Sequence, residues 1–166
     1  MHPKWQDLLE RMQATGQFSS KLLTHRVLCN QFFAGRTVLR PPAVNGRFGP
    51  GPIRAHGALR KTKSASWMEI AQLYVDPELS GNGVMREIIG ELMEKRRPGV
   101  RFFGITKVSS VMRAFVESGL KPTTKYDVPD IESWAAEIGL DRLPESAKLR
   151  ELSDMRRAGR WLFMER

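Results

Sequence analysis

Leu73-Tyr-Val-Asp-Pro-Glu-Leu-Ser-Gly-Asn-Gly-Val-Met-Arg-Glu-Ile-Ile89 joins a segment of strand length to a helical one through a turn that holds two glycines. Upstream, Trp67 to Val75 reads as a strand, bounded by the polar run Lys61 to Ser66 on one side and Asp76-Pro77 on the other. Downstream, Val84, Met85, Ile88, Ile89, Leu92 and Met93 fall on one face of a helix that stops before Pro98-Gly99. Val100 to Thr106 is the next apolar run. Strand, glycine turn, helix and strand in this order describe a right-handed crossover between parallel neighbours, so the middle of the chain is an α/β layer.

Ile53 to Arg60 precedes the Trp67 strand and pairs with it most simply as an antiparallel hairpin. Beyond the crossover, Ser109 or Ser110 can cap a helix carrying Val111, Ala114 and Phe115, which Gly119 ends in the left-handed manner. Toward the N-terminus, Trp5, Leu8, Leu9 and Met12 recur at helical spacing over Lys4 to Ala14. Leu22, Leu23, Val27, Leu28 and Phe32 do the same over Lys21 to Phe33, and Gly16 separates the two helices. Pro41 to Pro52 carries four prolines and three glycines and marks a long loop. The rest reads as a strand over Pro122 to Val128, helices over Asp130 to Ile138 and Glu145 to Arg157, and a last strand over Arg160 to Met164. No repeat interrupts this order, and residues 1–166 are expected to form a single domain.

Hydrophobic residues at 41% and charged residues at 27% fit a soluble globular chain and exclude a disordered or fibrous one. A chain of 166 residues can bury about two thirds of its unfolded surface around one core. Its 27 Lys and Arg against 18 Asp and Glu give +9, which favours an acidic partner: a polyphosphate cofactor, an anionic substrate or nucleic acid. The single cysteine, Cys29, excludes an internal disulfide and has no histidine in obvious register. His2, His25 and His56 lack zinc-ligand spacing, so no metal is expected. Neither the apolar core of a signal peptide nor a run approaching about 18 apolar residues is present, which predicts a cytoplasmic protein without a membrane span.

Unpaired N–H groups at the start of a helix, with the positive end of its dipole, are ready donors to a polyphosphate, and glycines let a ligand approach them. Ser80-Gly81-Asn82-Gly83 has that setting, although a simple strand-to-helix turn asks for the same residues. The spacing fits neither the dinucleotide fingerprint nor the Walker pattern. It resembles the turn of the GNAT superfamily of acetyl-CoA-dependent N-acetyltransferases, where a strand ending in V-x-P leads through Q/R-x-x-G-x-G/A into a helix. Ile105 to Leu120 is similar to the family's next strand and the helix that ends in a G-F pair, and the resemblance covers about residues 53 to 126.

This resemblance implies a GNAT-type α/β fold, a mixed and mostly antiparallel sheet flanked by helices. It also implies acetyl-CoA, or another acyl-CoA, as co-substrate. The pantetheine would pair with Leu73, Tyr74 and Val75, and the pyrophosphate would meet Ser80, Gly81, Asn82, Gly83 and Val84. Ser109 and Ser110 are further candidate donors to the cofactor, although helix capping accounts for them as well. Aligned on Gly83, Ser80 stands at the family's Q/R position and Met85 at its last small residue. Phe115 replaces a tyrosine that often serves as general acid, and Val108 an asparagine. Protonation of the leaving thiolate then falls to Tyr74, Ser109, Ser110 or water, and Phe115→Tyr is expected to speed an enzyme that lacks only the acid.

Acetyl transfer needs a neutral amine, and so a base for an ammonium whose pKa is near 10. Glu69 is the candidate: a charge inside an apolar strand is costly unless used or paired, and the resemblance implies the same role, since several members of the family place a catalytic carboxylate at the spacing of eleven residues that separates Glu69 from Ser80. The alternative is a carboxylate paired with Arg60 or Lys61. Gln72 and Tyr74 share a face of a regular strand, and a bulge would change which of them meets substrate. His56 is read either as facing the acceptor or as a half-exposed strand residue. Cys29, Trp67, Trp134 and Trp161 are read as packing residues. The expected activity is direct attack of an amine on the thioester, because no activated serine or thiol is visible. The rival readings are a degenerate module that binds CoA esters or a partner without turnover, and a nucleic-acid-binding protein. The net charge also admits an aminoacyl-tRNA acceptor, and a homodimer is compatible with the sequence.

Overall fold

The structure, a computed structural model, describes residues 2–18, 23–42, 47–123, 133, 134, 136 and 161–165. The chain divides into two compact units: Met1–Leu59 with Ala71–Lys95, and Arg60–Ile70 with Arg96–Arg166. Strands β2 (Ala55–Lys61) and β3 (Trp67–Val75) run through both. Six strands are hydrogen-bonded in the order β1-β2-β3-β4-β6-β5.

In the first unit, α1 (Pro3–Ala14) buries Trp5, Leu8, Leu9 and Met12, the expected stripe. Helix α2 (His25–Phe33) starts later than the apolar spacing predicts, because the Thr24 hydroxyl accepts from the Val27 N–H and caps it there. The stripe and Leu28 meet Leu23, Leu39, Ile53 and Tyr74 in one core cluster. A strand absent from the sequence reading, β1 (Thr37–Arg40), pairs antiparallel with β2 from Thr37↔Ala58 to Arg40↔Ala55. Helix α3 (Val84–Glu94) buries Ile88, Ile89 and Leu92. It packs so closely on β2 that a Cβ at Gly57 would collide with Ile88 and press on Leu73 and Leu92.

In the second unit, β3 pairs parallel with β4 (Arg101–Thr106) from Trp67↔Arg101 to Glu69↔Phe103, the expected crossover pairing. Strand β4 pairs antiparallel with β6 (Trp161–Met164), and β6 with β5 (Lys121–Thr123). Helix α4 (Ser109–Glu117) buries Val111, Ala114 and Phe115, and Gly119 follows it with φ 91°. Its N-cap is Val108, not either serine, and no side chain caps it. Trp67, Phe103 and Trp134 pack edge to face in this unit's core. The helix readings over 130–138 and 145–157 and the strand beyond Thr123 fall outside the described residues, Ser133, Trp134 and Ala136 aside.

Candidate functional site

In the first unit, β3 leads through a 3-10 turn (Pro77–Leu79) and Ser80 to Gly81 and Gly83, whose φ values of 85° and 76° lie in the left-handed region. That conformation is what calls for glycine, since a Cβ at either position meets no atom within 4 Å. The last bonds before the helix are Leu79 N to Asp76 O and Ser80 N to Pro77 O, and the next is Glu87 N to Gly83 O. Gly83 is the N-cap of α3, with no side-chain cap. Among the described residues, therefore, nothing accepts from the N–H groups of Gly81, Asn82, Gly83, Val84, Met85 and Arg86. Ser80, Gly81, Asn82 and Gly83 are exposed, and Val84 is half-buried.

Carboxylates flank this turn, and arginines answer them. Asp76 accepts from Arg11 at 3.1 Å and lies 3.6 Å from Arg54, which also pairs with Glu78. Arg40 bridges Glu87 and Glu91. The cations thus offset the negative charge around the turn. Sequence reasoning passed over these arginines, because their partners lie in elements that only the fold brings together.

Strand β3 is not regular. Gln72 has φ 54°, the one described non-glycine residue with positive φ, and burial alternation slips there: Ala71 and Gln72 are both half-buried, Leu73 and Tyr74 both buried. The Gln72 carbonyl accepts from Nδ1 of His56 at 2.9 Å. His56 is not half-exposed but wholly buried, and desolvation drives its pKa down to about 4. Tyr74 lies in the first unit's core with the Arg11 guanidinium 5.9 Å from its ring centre, Leu73 is buried against the Gly57 position, and Val75 is half-buried.

In the second unit, Glu69 is 7% exposed, and Arg60 donates to its Oε2 from both Nε (2.7 Å) and Nη2. Oε1 accepts from no described residue. Ser109 and Ser110 are exposed in the first turn of α4, where the first backbone bond is Met112 N to Val108 O, leaving their own N–H groups unpaired. Phe115 is 1% exposed, and its ring lies so close to Gly104 that a Cβ there would overlap Cζ and Cε2. A hydroxyl on that ring would enter the core, which counts against the expected gain from Phe115→Tyr. In the first unit, the Cys29 thiol stands 3.6 Å from the His25 ring one turn away, so the expectation that no histidine shares its register is wrong. Burial raises the thiol pKa, the opposite of activation.

Among the described residues no group of three His, Cys, Asp or Glu side chains is placed to hold a metal ion, and no helix is long and apolar enough to cross a membrane. No protein-family profile matches the chain, and no curated protein matches it by sequence. Among solved structures it is similar to N-acetylglutamate synthase from Neisseria gonorrhoeae complexed with coenzyme A and N-acetyl-glutamate, with TM-score 0.58 and 19% identity over 99% of this chain. The chain spans 32% of that synthase's length. It is also similar to Rv2747 from Mycobacterium tuberculosis, solved with CoA (TM-score 0.54, 17% identity, 86% of this chain and 81% of that one). A third is a GNAT-family protein from Desulfovibrio desulfuricans (TM-score 0.53, 13% identity, 76% and 85%). The chain therefore has the GNAT fold, with its sheet and flanking helices as the sequence resemblance implied.

Proposed function

We propose that the chain is an acetyl-CoA-dependent N-acetyltransferase acting on an amine that is not yet identified. The observation that carries this reading is the row of unpaired N–H groups from Gly81 to Arg86, opened by two left-handed glycines, in a chain whose fold is that of proteins solved with CoA. Donors in that number suit a pyrophosphate, which brings its own charge to the positive end of α3. Leu73, Tyr74 and Val75 would offer backbone to the pantetheine, and the exposed N-terminus of α4 at Ser109 and Ser110 further donors.

In this reading Glu69 takes the proton of the acceptor ammonium, directly or through a water, and Arg60 orients its carboxylate by donating to Oε2. The neutral amine attacks the thioester carbonyl, the C–S bond breaks, and the thiolate leaves with a proton from water, Tyr74 or a serine at 109 or 110. Buried Phe115 supplies none, and this favours the second reading, a module that binds CoA esters without turnover. The acidic partner that the +9 charge suggests is then the cofactor itself, with RNA or an aminoacyl-tRNA as the alternative acceptor. A single half-buried cysteine suits a reducing, cytoplasmic setting.

Incubation with acetyl-CoA and a panel of amines, amino acids, peptides and aminoacyl-tRNA, followed by mass spectrometry and thiol release, tests the reading. An acetylated amine with stoichiometric free CoA supports it. CoA binding with no acetylated product across the panel favours the binding module.

A further inference from the structure

We propose that His56 is a positioning residue for acyl-CoA: its Nδ1–H holds the Gln72 carbonyl and thereby fixes the left-handed turn of β3 from which Leu73, Tyr74 and Val75 depart. This inference rests on the reading of 73–75 as the segment that the pantetheine pairs with.

A residue with a side chain enters φ 54° only at a cost, and inside a strand it forfeits the regular ladder as well. Something must over-determine it. Two hydrogen bonds, one from β2 and one to the residue just before it, bracket the segment: His56 Nδ1 to Gln72 O at 2.9 Å at one end, and Asp76 N to Arg54 O at 2.7 Å at the other. A carbonyl oxygen only accepts, so Nδ1 carries the proton, and the wholly buried ring stays neutral around pH 7. Nε2 is then a bare acceptor, buried and with no partner among the described residues. A residue present only for packing would not bear that orphan nitrogen, since an apolar ring fills the same volume without it. Trp5 meets the imidazole edge to face, with centroids 6.2 Å apart at 84°, and holds its plane. The imidazole is thus a fixed donor aimed at one atom, the carbonyl of the strained residue.

The test measures CoA affinity by calorimetry, and melting temperature, for the wild type, His56→Phe, His56→Asn and the His56→Phe/Gln72→Gly double variant. Asparagine can place an amide nitrogen where Nδ1 stands, phenylalanine keeps the ring without the donor, and glycine at 72 adopts positive φ freely. The expected pattern is a loss of about tenfold in CoA affinity for His56→Phe, with His56→Asn near the wild type and the double variant partly restored. Equal melting of the Phe and Asn variants alongside unequal affinity marks positioning and not packing. A folded His56→Phe that binds CoA like the wild type overturns the proposal, as does an Asn variant that is equally impaired. A wild type that binds no CoA removes the functional reading first, a separate outcome. Should His56→Phe not fold, ¹⁵N NMR of the wild type decides: a protonated Nδ1 and bare Nε2 at pH 7 are expected, and the other tautomer overturns the assignment.

Discussion

Arg60 directs two donors, Nε and Nη2, at a single oxygen of Glu69 and leaves the other oxygen of that buried carboxylate without a described partner. A purely structural pair gains most when both oxygens are used, whereas a base needs one lone pair free. Glu69→Gln is expected to lower amine acetylation by about 10²-fold or more, with the residual rate rising with pH as free amine accumulates. Steady-state kinetics on an identified acceptor, with CoA affinity measured in parallel and expected to stay close to wild type, check this. An unaltered pH–rate profile would leave Glu69 as a structural partner of Arg60.

Phe115 and Gly104 form one packing unit, with the ring tip against a position where no Cβ fits. Phe115→Tyr should therefore not speed acetyl transfer; it should lower stability by about 1–3 kcal/mol, the cost of a buried hydroxyl without a partner. Gly104→Ala should cost about 1–3 kcal/mol through overpacking, and much of that should be recovered in combination with Phe115→Leu. Denaturant titrations of the singles and the double variant measure both effects.

The depressed pKa of His56 fixes a pH dependence of stability. Unfolded, the imidazole titrates near 6.5; folded, burial keeps it neutral down to about 4. The unfolded chain thus binds the extra proton first, so stability is full above about pH 6.5 and declines between 6.5 and 4, approaching a loss of about 3 kcal/mol. Comparison of urea midpoints at pH 7.5 and 4.5 for the wild type and His56→Asn isolates the effect: the variant should lose less on acidification. Equal losses would contradict it.

Arg54 pairs with both Asp76 and Glu78 beside the glycine turn. Its removal exposes those carboxylates to an incoming pyrophosphate, so Arg54→Ala should weaken CoA binding by about 3- to 10-fold at low salt, and by less at high salt where exposed charges are screened. Titrations at two ionic strengths test this, and a salt-independent loss would point to a change in fold instead.

Much of the fold was legible because it is written in local periodicity. The Trp67–Val75 strand, the α3 stripe of Ile88, Ile89 and Leu92, and the left-handed end of α4 at Gly119 all follow from residue types at short spacing. Strand β1 was not legible: it has four residues, Val38 and Leu39 are buried side by side, and its partner lies about twenty residues on. The left-handed Gln72 carries no glycine to announce it and depends on a histidine from another strand. At the site, the glycine turn and the Arg60 alternative for Glu69 could be read from spacing. The Arg11, Arg54 and Asp76 cluster could not, because it joins α1, the segment before β2 and the end of β3. The Cys29–His25 contact was readable at i, i+4 and was overlooked.

In the proposed function acetyl-CoA binds through the glycine turn ahead of α3. A Cβ at Gly83 meets no atom within 4 Å, so a carboxylate placed there should oppose the pyrophosphate; the left-handed φ of 76° strains the turn by about 1–2 kcal/mol, less for aspartate than for most side chains, and should leave helix α3 formed. Calorimetric titration of acetyl-CoA into the wild type and Gly83→Asp, with circular dichroism alongside, is the direct measurement. Saturable one-to-one binding to the wild type is expected, with none to a variant of unchanged helicity. Equal affinity in the two proteins, or a wild type that takes up no acetyl-CoA, would contradict it.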